Sequence, residues 1–139
     1  MGSLPPQGNG GGILASITNE DEALSITASY SNALVIDSRS LSDNVITLYN
    51  ADATADLHYK IYATAQGISA IPADNDNSWI NILDREVNDP SLYDHNTERV
   101  IPPLGVFYES FSNKWSWVRV MMKSSTGTIT AKIWHRGTK

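Results

Sequence analysis

The sequence predicts an all-β fold: an antiparallel β-sandwich of jelly-roll type, preceded by a flexible N-terminal arm. Three observations predict it. Short segments of alternating polarity recur along the chain, polar turns containing Gly, Asn and Asp separate them, and no stretch shows convincing amphipathic-helix spacing. At 139 residues the chain suits one domain, burying about two-thirds of the surface that its unfolded form exposes.

Residues 1–12, MGSLPPQGNGGG, hold five glycines and two prolines. Ordering such a segment costs much entropy and buries little, so it is expected to be a flexible arm, with 13–139 forming the domain. It lacks the charged and apolar regions of a signal peptide, and Pro6 stands where a myristoylation signal needs Ser or Thr.

EDEALSITAS (20–29) starts with the acidic residues that suit a helix N-terminus, but Leu24 and Ile26 are two apart, which is strand spacing. ALVIDS (33–38) is a short apolar run. NVITLYN (44–50) sets Val45, Thr47 and Tyr49 on one face against Ile46 and Leu48 on the other. LHYKIYA (57–63) turns Leu57, Tyr59 and Ile61 inward and His58, Lys60 and Tyr62 outward. SWINIL (78–83) places Trp79 opposite in parity to Ile80 and Ile82, and GVFYESF (105–111) reads as a further strand.

The segment WSWVRVMMKSSTGTITAKIW (115–134) reads as a hairpin. Val118, Val120 and Met122 on its first strand and Ile129, Ala131 and Ile133 on its second are assigned to the core. Trp115, Trp117, Arg119, Met121 and Lys123 face the other way, and Gly127 supplies the positive φ that the turn needs. Two connections are long: TAQGISAIPADNDNS (64–78) and DREVNDPSLYDHNTERVIPP (84–103). Together they carry four of the six prolines, and long loops in compact domains are commonly functional or ordered by a partner.

Composition narrows the function. The charged fraction is low at 18%, and the net charge is −5 with no run of basic residues. Nucleic-acid binding by counterion displacement and polybasic attachment to membranes are therefore disfavoured. No apolar run reaches the roughly 18–20 residues of a spanning helix. With no cysteine, disulfides and thiolate chemistry are excluded. His58, His95 and His135 are far apart in sequence and give no local metal pair, and no serine sits in a G-x-S-x-G elbow. No catalytic, cofactor or metal residue is assigned, and the chain is not expected to be an enzyme. Asp74 and Asp76 in ADNDN (73–77) resemble the start of a calcium loop, but Ser78 and Trp79 follow where the pattern needs glycine and a distal glutamate. Ordinary turn chemistry explains them more simply.

The tryptophans are the most informative side chains. Trp115 and Trp117 are placed on one strand face, about 7 Å apart, with Trp134 on the facing strand. Such rings can stack on sugars, be covered by a neighbouring subunit, or pack beneath the 84–103 loop, and the burial preference of large aromatics favours the last two.

The span 33–135 resembles small β-sandwich virion proteins of tailed bacteriophages. The likeness runs through ALVIDSRSLSDNVITLYN, ATADLHYKIYATAQG, SWINILD and WSWVRVMMKSSTGTITAKIWHRG. It rests on Asn50 before a small-residue turn, on Leu57, Tyr59, Ile61 and Tyr62, on Trp79, and on Val118, Arg119, Val120, Lys123, Gly127, Thr130, Lys132 and Trp134. The resemblance implies a virion structural protein, in its most specific form a capsid decoration protein. Its implied partners are the major capsid protein or other virion proteins, together with copies of itself, a trimer being favoured. The contact surface is then expected to include Pro5 and Pro6 of the arm, Tyr93, Pro102 and Pro103 of the second long loop, and Trp115 and Trp117. The alternative is a carbohydrate-binding sandwich using Trp79, Trp115, Trp117 and Trp134.

Overall fold

The computed structural model describes residues 16–65, 70–84, 90–112 and 115–138; the expected arm, with Pro5 and Pro6, lies outside them. Among the described residues nine strands follow one another: β1 (Ser16–Ile26), β2 (Ser31–Asp37), β3 (Asp43–Asn50), β4 (Leu57–Thr64), β5 (Ile80–Asn81), β6 (Arg99–Ile101), β7 (Val106–Phe111), β8 (Trp117–Ser124) and β9 (Ile129–Thr138). One-turn 3-10 helices at Ile82–Asp84 and Pro90–Leu92 complete the elements. The acidic 20–29 segment therefore runs as strand through Ile26, as the two-residue spacing of Leu24 and Ile26 requires.

Two antiparallel sheets form. Sheet A has the order β1-β9-β3-β7 and sheet B the order β2-β8-β4-β5, with β6 also on β4. The short β5 and β6 share one edge, pairing with opposite ends of β4 at Tyr62–Ala63 and Leu57–Tyr59. Counting that pair as one edge, successive strands alternate between the sheets except from β4 to that edge, a step that stays within sheet B, and this is jelly-roll connectivity. The strand Arg99–Ile101 lies within what the sequence presents as an irregular 84–103 loop; three residues are too few to declare a period.

The alternation of β8 and β9 is as expected, but their pairing is not. β8 pairs with β2 and β4, and β9 with β1 and β3. The predicted hairpin is an arch that carries the chain from one sheet to the other. Alternation fixes which side of a strand faces the core without choosing the strand beside it. Gly127, at φ 63°, does supply the left-handed residue of this connection.

The core lies between the sheets. Sheet A contributes Ile26, Ile46, Leu48, Phe111, Ile129, Ala131 and Ile133, and sheet B contributes Ile36, Leu57, Tyr59, Ile61, Val118, Val120 and Met122. Each large apolar side chain removed from water contributes about 1.5–3 kcal/mol. Polar groups close the core at both ends of β3. At one end His135 Nε2 lies 2.7 Å from Asn44 Oδ1, and Asn44 Nδ2 donates to Ser38 Oγ. Burial lowers the His135 pKa to about 4, so the ring is neutral at pH 7. Gly137 allows close packing here, since a methyl group on it would stand 2.5 Å from Leu41 Cδ1.

At the other end Asn50 is fully buried. Its Nδ2 donates to the carbonyls of Ala55 (2.8 Å), Ile101 (3.1 Å) and Pro102 (3.2 Å), while its Oδ1 accepts from Asp52 N–H at 3.0 Å. Asp52 in turn accepts the amides of Ala55 and Thr54, which hold its carboxyl below the usual range. One side chain thus joins the 51–55 turn to the end of β6.

Candidate functional site

The two outer faces of the sandwich differ in how they are covered. On sheet B, Tyr62 of β4 and Arg119 of β8 stand opposite one another and point away from the core, yet both are buried. The 70–79 loop covers them. Arg119, 5% exposed, has its guanidinium carbon 4.6 Å from the Trp79 ring centroid and 5.0 Å from that of Tyr62. Its Nη2 donates to the Asp74 carbonyl at 2.9 Å, and its Nη1 lies 3.0 Å from Asp74 Oδ1. Trp79 Nε1 donates to Ala73 O. The 93–97 segment is tied down as well: Tyr62 Oη donates to His95 O, Asn81 Nδ2 to His95 O and Thr97 O, and Asn81 N–H to the Tyr93 hydroxyl.

Further along sheet B, Tyr30 donates its hydroxyl to Glu98, and His58 Nδ1 lies 3.1 Å from Glu98 Oε2. Lys60 and Lys123 place their ammonium groups 4.4 and 5.1 Å from the Tyr30 ring centroid. Burial, then Glu98, raises the Tyr30 pKa; the Tyr30 hydrogen bond leads in lowering that of Glu98. This base-and-acid pair supplies two of a triad's three members, but the hydroxyl at hand is the phenol that Glu98 already engages, so the geometry describes a brace across the sheet. Among the described residues, no three His, Asp or Glu side chains form a metal-sized group.

Sheet A is bare. Its outer face is a regular grid in which Thr47 is flanked by Trp134 and Tyr108, Tyr49 by Lys132 and Val106, and Val45 by Arg136 and Ser110. Tyr108 is 71% exposed, Val106 59% and Val45 42%. A depression of about 440 Å³ lies against Val45, Thr47, Trp134 and Arg136. The 102–105 turn continues the patch from Val106: Pro102 is exposed, Pro103 half-buried, and Leu104 is 56% exposed. Leu104 has φ 60°, a left-handed conformation costing a β-carbon residue roughly 1–2 kcal/mol. The turn is held by Gly105 N–H to Pro102 O and Leu104 N–H to Asp52 O.

The sheet edges are guarded. β1 and β2 carry register breaks at Asp21/Leu24 and Asn32/Leu34, and β5 and β6 are short. On β7, Glu109 alternates with the outward Tyr108 and Ser110; its carboxylate receives the Tyr59 hydroxyl at 2.5 Å and lies 3.8 Å from Arg99 Nε. Bulges, short strands and inward charges are devices against strand-to-strand addition.

The tryptophans do not form the expected common face. Trp115 precedes β8 and packs against the core. Trp117 is half-buried with the Arg39 guanidinium 4.9 Å from its ring centroid, and Arg39 is itself paired with Asp37. Trp79 is buried beneath its loop, and Trp134 lies on the opposite sheet. The expected contact residues are likewise scattered: Tyr93 lies in the cover of sheet B, while Pro102 and Pro103 border the bare patch. The exposed Val106 and Tyr108 escape notice in the sequence because β7 carries large apolar residues on both sides, Phe107 and Phe111 facing in and Val106 and Tyr108 facing out.

No family model and no curated protein matches the chain. Among solved structures, one described as a Bacillus endospore appendage, from a family of disulfide-linked pili, shares the fold at TM-score 0.50 and 9% identity. The match covers 98% of this chain and 97% of that one.

Proposed function

We propose that this chain is a structural subunit that assembles with copies of itself through the outer face of sheet A. The carrying observation is the contrast between the two faces: the 70–79 loop and an arginine clamp cover the Tyr62–Arg119 part of sheet B, where Val35 and Val100 remain 42% and 40% exposed, while Tyr108 and Val106 on sheet A reach 71% and 59%, with Val45 and Leu104 open on and beside it. Contiguous exposed apolar surface of this kind marks an interaction site. Tyrosine and tryptophan suit interface cores because they combine large contact area with a polar tip. The guarded edges favour packing by faces over extension of a sheet.

In its specific form the proposal is a homo-oligomer, with a trimer favoured, that decorates a virion capsid, the N-terminal arm reaching neighbouring subunits. The pilus protein of similar fold lends support to the broader reading of a protein that works in an external assembly. That protein's family is described as disulfide-linked; this chain has no cysteine, so its own contacts would not be disulfides.

Light scattering across a range of protein concentrations tests the assembly. The full chain is expected to form an oligomer that Tyr108→Asp disrupts, with at least a tenfold weaker association constant and an unchanged circular dichroism spectrum. A carboxylate in an apolar interface loses its hydration without gaining a partner. A monomeric full chain at every concentration, or a Tyr108→Asp chain that assembles normally, would refute this use of the face. Sedimentation with capsid shells tests the specific form: binding supports decoration, and absence of binding removes it while leaving self-assembly standing.

A further inference from the structure

The loops covering sheet B enclose a cleft of about 510 Å³ between two segments, one contributing Asp74, Asn75, Asp76, Asn77, Trp79 and Ile80 and the other Tyr93 and His95. We propose that this cleft binds a neutral saccharide. Its volume lies within the roughly 300–1,000 Å³ typical of small-ligand sites.

The chemistry selects the ligand class. Both carboxylates already serve the protein: Asp74 pairs with Arg119 at 3.0 Å, and Asp76 accepts the Ser78 amide at 2.8 Å. They can still accept hydrogen bonds from hydroxyl groups, but they do not form the six-to-eight-oxygen cage of a calcium site. Asn75 and Asn77 add amides that both donate and accept, the pairing that a sugar's hydroxyls need. Anionic ligands would meet acidic side chains. Opposite the acidic segment, the rings of Tyr93 and His95 lie 6.3 Å apart, and the His95 ring is 4.8 Å from that of Tyr62 with the planes tilted by 40°, giving an aromatic side against which the apolar face of a sugar ring can rest.

The cleft is also preorganised. Arg119 fixes Asp74, Asn81 fixes the Tyr93 hydroxyl and the His95 carbonyl, and Trp79 is held by Ala73. A site on anchored loops loses less entropy on binding than one on free loops. It belongs to the sheet opposite the proposed assembly face, so the two proposals stand or fall separately.

The test presents the full chain to a panel of immobilised neutral and sialylated glycans, with isothermal titration of calcium chloride alone in parallel. At least one neutral glycan should bind, and Asn77→Ala and His95→Ala should each weaken it tenfold or more while circular dichroism stays unchanged. His95→Ala removes the ring contact with Tyr62 but keeps the backbone carbonyl that Tyr62 and Asn81 use, so the hydrogen bonds that anchor the segment survive. Absence of neutral-glycan binding overturns the proposal. So does binding that both variants retain, preference for sialylated glycans, or calcium binding that Asp76→Asn abolishes.

Discussion

Replacing Asn50 with alanine should lower the free energy of unfolding by about 3 kcal/mol and the melting temperature by roughly 10 °C. The side chain has no exposed atoms to return to solvent, and its amide serves three carbonyls and one N–H. Alanine leaves the carbonyls of Ala55, Ile101 and Pro102 facing a space that the backbone cannot close. Asn50→Asp is a stringent companion, because it preserves shape while replacing the donating NH2 with an acceptor. It should be at least as damaging at neutral pH. Urea denaturation of both variants provides the measurement, and an Asn50→Asp protein as stable as the parent would show that these hydrogen bonds do not hold the turns together.

The second large effect is expected at Arg119. Arg119→Met keeps most of the aliphatic packing and removes the cation from between Trp79 and Tyr62, with its contacts to Asp74. A desolvated cation–π contact and a charge-assisted hydrogen bond are each worth about 2 kcal/mol, so a loss of 2–3 kcal/mol is expected. Arg119→Lys should recover little, since an ammonium lacks the planar fork that contacts the carbonyl and one carboxylate oxygen of Asp74 while lying over the rings. The distinguishing observation is local: amide hydrogen exchange across 73–79 should accelerate far more than across β8. Equal exchange of the loop in parent and variant would show that the arginine does not hold it. Saccharide binding should fall with the loop's order, because Asp74 and Trp79 line the cleft.

Much of this architecture is written in side-chain alternation. β3 presents Ile46 and Leu48 to the core and Val45, Thr47 and Tyr49 outward, and β4 buries Leu57, Tyr59 and Ile61, as their two-residue periods require. Partner choice is not encoded so locally. Met122 and Ile129 both point inward, but each faces the other's sheet. Tyr62, Trp79 and Arg119 show a second limit: parity places Tyr62 and Arg119 outside, and only the folded loops bury them. Glu109 shows a third, since its inward direction depends on Tyr59, fifty residues earlier in the chain, being there to receive it. The candidate surfaces are accordingly less legible than the core. Val106 and Tyr108 gain meaning from standing beside Tyr49 and Thr47, and the cleft from two loops that β5 and Asn81 draw together.

The arch at 125–128 has a kinetic consequence. Neither half of the Trp-to-Trp segment can be stabilised by the half next to it in sequence. β8 must wait for β2 and β4, and β9 for β1 and β3, which begin roughly a hundred residues earlier. Closing such distant contacts costs chain entropy before burial repays it. The last of the described strands to be made is also the central partner of sheet A, joining β1 to β3, so the nascent domain stays open on that side until β9 has emerged.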